Sequence, residues 1–141
     1  MNNTPPDKRL LSVVGNLRQS IDGLRRIHDR WRGSNESLIN LIAQLTALKS
    51  NLATMLDWLE YAIYDLHPQL LSDLNYLLSS CNLLVRHLDD VIARLGQPDR
   101  DAMDFASRLK YAVGTLSMER LRKVTQRQND SVGLLLAACK W

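Results

Sequence analysis

The stretch from Leu38 to Leu66 constrains the fold more than any other part of the chain. Apolar residues return at Leu38, Leu41, Leu45, Leu48, Leu52, Met55, Leu59, Ala62 and Leu66. The steps alternate between three and four, which is the seam of an α-helix buried along its whole length. No Gly or Pro interrupts it, and at 1.5 Å per residue it would run roughly 40–45 Å. One small neighbour cannot cover such a seam, so the rest of the chain has to supply helices that pack along it.

The flanking sequence does so. Residues 1–7 read as a loose arm, with Asp7 as a cap, and residues 8–141 as one bundle domain. The first helix carries Leu10, Val14, Leu17, Ile21, Leu24 and Trp31, widened by Leu11, Val13 and Ile27. Gly15 and Gly23 fall inside it on nearly the same face. Each lowers helix stability by about 1 kcal/mol relative to Ala, so this is the element expected to move. Gly33-Ser34-Asn35 ends it, with Gly33 at the left-handed C-terminal position. The second helix runs from about Glu36 to Leu66, and His67-Pro68 breaks it because a residue preceding proline leaves the helical region.

A third helix, Gln69 to Leu95, has its seam at Leu70, Leu74, Leu77, Cys81, Leu84, Leu88, Val91 and Leu95, broadened by Leu71, Leu78 and Val85. Gly96-Gln97-Pro98 is a stop signal. A short helix from Asp99 or Asp101 follows, through Met103, Ala106, Leu109 and Val113. After Gly114, the last helix carries Leu121, Val124, Val132, Leu135 and Ala138, with the polar Gln128 in mid-seam. Short loops between long helices predict antiparallel neighbours. The expected architecture is an all-α, up-and-down bundle of four long helices and one short one.

A chain of 141 residues that is 45% hydrophobic buries a core without metals or disulfides. Cys81 and Cys139 sit far apart within apolar patterns and read as reduced core thiols of a cytoplasmic protein. The polar, proline-containing start does not read as a secretory signal, and no apolar run reaches the ~18–20 residues of a membrane span. Charge is unevenly spread. Residues 1–32 hold seven Lys or Arg against three Asp, residues 33–95 three against seven acidic, and residues 96–141 eight against five. Terminal helices lying beside the central pair would make that split self-complementary.

Enzyme signatures are absent: no phosphate-binding Gly-rich loop, His-Glu-x-x-His pair, Cys-x-x-Cys or Gly-x-Ser-x-Gly elbow. His28, His67 and His87 stand alone, and Asp89-Asp90, adjacent on a helix, point about 100° apart. No catalytic residue, metal set or cofactor is therefore expected. The basic residues carry more interest. Arg18, Arg25, Arg26, Arg30 and Arg32 on the first helix could meet anionic headgroups, although Asp22 before Arg26 and Asp29 before Arg32 predict ordinary surface ion pairs. Arg120, Lys123 and Arg127 share a face of the last helix with only Glu119 and Asp130 nearby, and form the less neutralised patch. Nucleic acid is disfavoured as a partner, since Tyr111 is the only aromatic near these charges.

Several segments resemble the N-terminal helical, HeLo-like domains of fungal STAND proteins, the NOD-like receptors of filamentous fungi. Val13-Val14-Gly15-Asn16-Leu17 with Ser20-Ile21 and Leu24-Arg25 resembles their opening helix, and Cys81-Asn82-Leu83 with Leu88-Asp89 their third. Ser107-Arg108-Leu109-Lys110-Tyr111, Met118-Glu119 to Leu121, Arg127-Gln128-Asn129 and Leu134-Leu135-Leu136 are similar to the short and final helices. The chain departs from the pattern at Ala112-Val113, where relatives often have tryptophan, and it has no nucleotide-binding or repeat region. It would be either a domain excised from a longer receptor or a stand-alone signalling part.

The resemblance implies a non-enzymatic signalling domain acting in self/non-self recognition (heterokaryon incompatibility) or regulated cell death. Like the four-helix killer domain of mixed-lineage-kinase-like protein, such a bundle would oligomerise and engage an anionic membrane through its first helix, Leu10 to Trp31. It would be cytoplasmic and membrane-associated on activation. Arg18, Arg25, Arg26, Arg30, Arg120, Lys123 and Arg127 are the candidate membrane- or partner-binding residues. The competing expectation is a generic helical adaptor that binds a partner protein or self-associates.

Overall fold

The computed structural model describes residues 5–30, 36–62, 67–95 and 118–139, with the backbone alone at Arg30, Ala62, Met118 and Cys139. Four helices make up these residues: α1 Pro6–Arg30, α2 Glu36–Ala62, α3 Pro68–Leu95 and α4 Met118–Cys139. Among the described residues the fold is all-α. The short helix expected from 99 or 101 to 113 lies outside them, as do Trp31, Gly33, Leu66, Gly96 and Gly114.

Two helices start on proline, whose fixed φ suits the first helical position and whose missing N–H has no intrahelical partner there. At α1 the Arg9 amide donates to the Pro5 carbonyl at 3.1 Å, so Asp7 lies within the first turn and not ahead of it as a cap. At α3, His67 takes the capping position. Its Nδ1 accepts the Gln69 amide at 3.1 Å, and its carbonyl accepts the Leu71 amide at 3.0 Å.

The seam of α2 is buried as its spacing requires: Leu38, Leu41, Leu45, Leu48, Leu52, Met55 and Leu59 are all at most 1% exposed. The buried stripe of α1 is Leu10, Val13, Leu17, Ser20, Ile21, Leu24 and Ile27. Val14 only packs at its edge, and Leu11 is exposed, contrary to the sequence expectation. In α4, Leu121, Thr125, Gln128, Val132 and Leu136 are buried, Val124 and Leu135 pack partly, and Ala138 is exposed.

Cross-contacts give the helix directions. Arg9 meets Asn75 and Ser20 meets Asp89, so α1 and α3 run parallel. Gln44 meets Gln126 and Asn51 meets Asn129, so α2 and α4 also run parallel. The cavity that joins Leu77 and Ser80 to Gln128 and Leu134 sets α3 and α4 antiparallel. The chain thus alternates up and down, but α2 and α3, though consecutive, are not close neighbours. Each packs against α1 and α4, which separate them across the core. The expectation of adjacent partners fails at this one connection. The flanks of α3 are instead covered by α1 and α4: Ile92 turns toward α1, while Leu77 and Cys81 turn toward α4. Two flanks need two covering helices.

Candidate functional site

The two basic faces come from the outer surfaces of α1 and α4. Because α1 and α4 lie diagonally across the bundle, the structure keeps the two faces apart.

On α1, the aliphatic stripe fills one side. Lys8, Leu11, Arg18, Arg25 and Arg26 lie on the other, exposed. The expected pair of Asp22 with Arg26 does not form, and Asp29 lies 3.4 Å from His28 Nδ1, within hydrogen-bond reach of the neighbouring imidazole. Asp22 and Arg26 are both exposed, and water competes well for charges four apart on a helix surface. Arg25 and Arg26 are therefore less neutralised than the sequence implied. The side chain of Arg30 and all of Arg32 lie outside the described residues.

On α4, Arg120, Lys123 and Arg127 line one shallow depression of about 370 Å³ with Glu119 and Val124. Lys123 Nζ is 3.6 Å from Glu119, an exposed i,i+4 pair of little energetic weight. Arg120, Lys123 and Arg127 therefore share one surface of α4, with Glu119 among them.

Between α3 and α4 the interior is polar. Gln128, nearly buried, donates through Nε2 to Ser80 Oγ and accepts at Oε1 from the Cys81 thiol at 3.7 Å. Burial pushes the Cys81 thiol up to about 12, because the thiolate would lose its hydration. A thiol so protonated is a packing group and not a nucleophile. Just outside Gln128, a cavity of about 410 Å³ opens between Tyr76 and Leu77 on α3 and Leu134 and Leu135 on α4.

A second groove, about 450 Å³, separates α2 from α4 and is lined by Gln44, Asn51, Gln126 and Asn129 above Ala43 and Ala47. Its amides pair with one another in part, and Gln44 Oε1 is buried without a partner among the described residues. Gln44 donates to Gln126 at 3.4 Å, Asn51 to Asn129 at 3.3 Å, and Asn129 to the Gln44 carbonyl at 3.0 Å.

Among the described residues, no group of three or more His, Cys, Asp or Glu is placed to hold a metal ion, and no helix is long and apolar enough to cross a membrane. The arrangement offers grooves and charged faces for binding. The sequence reading gave no binding role to Tyr76, Leu83 and Leu134, which are 77%, 64% and 74% exposed. One signal was present. Three consecutive leucines, Leu134 to Leu136, span about 200° of helix, so a single buried face cannot hold them all. No family model matches this sequence, and no curated protein and no solved structure shows a significant match to it.

Proposed function

We propose that this chain is a non-enzymatic helical signalling domain of the kind found at the N-terminus of fungal STAND proteins. It acts in self/non-self recognition or regulated cell death by oligomerising and laying its first helix on an anionic membrane. One observation carries the reading: α1 is divided lengthwise. Six aliphatic side chains from Leu10 to Ile27 are buried on one face, and Lys8, Arg18, Arg25 and Arg26 are exposed on the other. A helix with that division, once released, binds anionic interfaces by burying its apolar face below the headgroups.

Hydrogen exchange followed peptide by peptide, with and without anionic vesicles, tests it. The expected outcome is that residues 6–30 exchange earlier than the Leu38–Leu59 core in solution and become protected on vesicles. Protection of α1 equal to that core, unchanged by vesicles and by forced oligomerisation, overturns the membrane step.

A second reading, a helical adaptor that docks a partner protein, is favoured by the exposed apolar residues beside the α3–α4 cavity. Isolated surface leucines are ordinary, but Tyr76 and Leu134 border the same opening.

A further inference from the structure

The cavity between α3 and α4 is apolar at its mouth and polar within. Tyr76 and Leu134 stand exposed at the mouth, Leu77 and Leu135 form the walls, and Ser80, Gln128 and Ser131 supply polar atoms. Its volume of about 410 Å³ lies within the ~300–1,000 Å³ of small-molecule sites. At the ~30 Å³ that a water occupies in the liquid, it has room for roughly a dozen non-hydrogen atoms.

The hydrogen bonds beneath the cavity run in one direction. The Cys81 thiol donates to Gln128 Oε1 at 3.7 Å, and Gln128 Nε2 donates to Ser80 Oγ. Ser80 Oγ is the acceptor at the end of this relay, and its own proton goes to no described residue. Other hydroxyls on these helices behave differently. Ser79 donates back to the Asn75 carbonyl at 3.0 Å and Thr125 to that of Leu121 at 3.0 Å, so both are spent within their own helices. The relay therefore starts in the core and ends on an unspent O–H in the cavity lining. A molecule that displaces solvent there has to offer an acceptor in return.

Charge narrows the class further. Asp73 lines the cavity and accepts from Gln69 at 2.9 Å, and among the described residues no Lys or Arg lines it. An anionic ligand would meet that carboxylate and bury its own charge unpaired. A cationic head would face the Ser80 donor with nothing to accept from it.

We propose that this cavity binds a small neutral molecule, free in solution and largely apolar, whose carbonyl oxygen accepts from Ser80. Its hydrocarbon part lies between Tyr76, Leu77, Leu134 and Leu135. The inference rests on neither reading of the function, since it concerns the interior of the cavity and not the outer face of α1 or the surface around the mouth.

Butyrophenone tests it. This phenyl ketone is of the right size, and its ring can stack on Tyr76. Butylbenzene, the same skeleton without the oxygen, and 4-phenylbutyrate, a carboxylate, are the controls. The whole chain is titrated with each and followed by backbone amide shifts in NMR. The ketone should bind about fivefold tighter than the hydrocarbon and about tenfold tighter than the carboxylate, with shifts centred on residues 76–80 and 128–135. Ser80→Ala should remove most of the ketone's advantage over the hydrocarbon. That variant also leaves a Gln128 amide hydrogen unpartnered, so two variants at exposed positions leave the relay intact. Ser131→Trp should fill the cavity and abolish binding of the ketone. Asp73→Asn should bring the carboxylate to within about threefold of the ketone.

Equal affinity for ketone and hydrocarbon, or an advantage that Ser80→Ala leaves whole, overturns the proposal. So does a preference for the carboxylate, a set of shifts centred on another face, or no binding at ketone concentrations on the order of millimolar. Neutral phosphatidylcholine vesicles that shift these residues where the free ketone does not would assign the cavity to a lipid chain and overturn it as well.

Discussion

Helix α3 is flanked by α1 on one side and α4 on the other, and it meets them in opposite ways. Against α1 the approach is close. Gly23 leaves so little room that a methyl group there would come within 3.2 Å of Ile92 Cδ1. The polar contacts reach outward from this interface, with the buried Ser20 donating to the exposed Asp89 and Arg9 to Asn75. Against α4 the polar group is inside. Gln128 occupies the seam and engages Ser80 and Cys81, and a groove opens beside it. A glycine in the seam brings two helices together, whereas a glutamine holds them apart and fixes their register. The tight side buries its apolar surface, and the spaced side leaves Tyr76 and Leu134 to solvent. That contrast explains why the groove is on the α4 side.

The largest effect should come from removing the spacer. Gln128→Ala deletes buried volume and leaves the Cys81 thiol and the Ser80 hydroxyl without their partner, a loss on the order of 2–3 kcal/mol in urea unfolding. Gln128→Leu fills the space with apolar atoms and should fall within about 1 kcal/mol of the parent. If Gln128→Ala behaves like a surface change, below about 0.5 kcal/mol, the glutamine is not what holds α3 and α4 in place.

Burial of Cys81 sharpens the same side through pH. The folded thiol lies near 12 against an ordinary value of 9.0, so between those values the folded chain keeps a proton that the unfolded chain has lost. Its contribution is complete below about pH 9 and is lost as pH rises toward 12. The slope approaches 1.4 kcal/mol per pH unit, an order-of-magnitude figure. Subtracting the stability of Cys81→Ala cancels the contribution of every other group. Parallel curves for the chain and the variant between pH 9 and about 10.5 would show that water reaches the thiol, and that the α3–α4 seam is looser than described.

On the α1 side, Ser20 is almost fully buried and its hydroxyl donates to Asp89 at 2.8 Å. Ser20→Ala should cost about 1 kcal/mol, and a cycle with Asp89→Ala should recover most of it as coupling. The value is modest because Asp89 is exposed and shares its oxygens with water. A coupling near zero would leave the glycine contact as the feature that defines this interface.

Much of this bundle is legible in the chain, and the reasons for the exceptions are physical. The α2 seam could be read residue by residue because every position from Leu38 to Leu59 obeys one period and meets an apolar neighbour. Gln128 stood out as a polar residue in an apolar register, and the structure gives it two partners. Val14 and Leu11 were misjudged because four apolar residues in the five positions from Leu10 to Val14 leave the face undecided until a neighbour selects it. The neighbour relation of α2 and α3 was hidden for a similar reason. Loop length limits which helices can touch but does not weigh two apolar flanks against one. The α4 basic patch was visible as spacing along one face. The groove beside it was not, because it depends on how far Gln128 holds two helices apart.

The smallest effect separates two glycines that the sequence makes look equivalent. Gly15 and Gly23 sit eight residues apart on α1, and by spacing alone both could admit a close neighbour. In the structure a methyl at Gly15 would meet nothing within 4 Å, whereas one at Gly23 would press on two carbons of Ile92 at 3.2 and 3.3 Å. Gly15→Ala should therefore gain the full helix-propensity difference, about 1 kcal/mol. Gly23→Ala gains the same backbone term but must shift Ile92 by a few tenths of an ångström, and while Cδ1 can swing away, Cγ2 is held at the branched β carbon. Its net change should fall below that of Gly15→Ala, near zero. Ile92→Val in the Gly23→Ala background should recover part of the difference, since it removes Cδ1, the 3.2 Å contact, while the Cγ2 contact at 3.3 Å remains. Equal gains at the two glycines, with no response to Ile92→Val, would mean that α1 does not rest closely on α3. The contrast between the tight and the spaced side of α3 would then disappear.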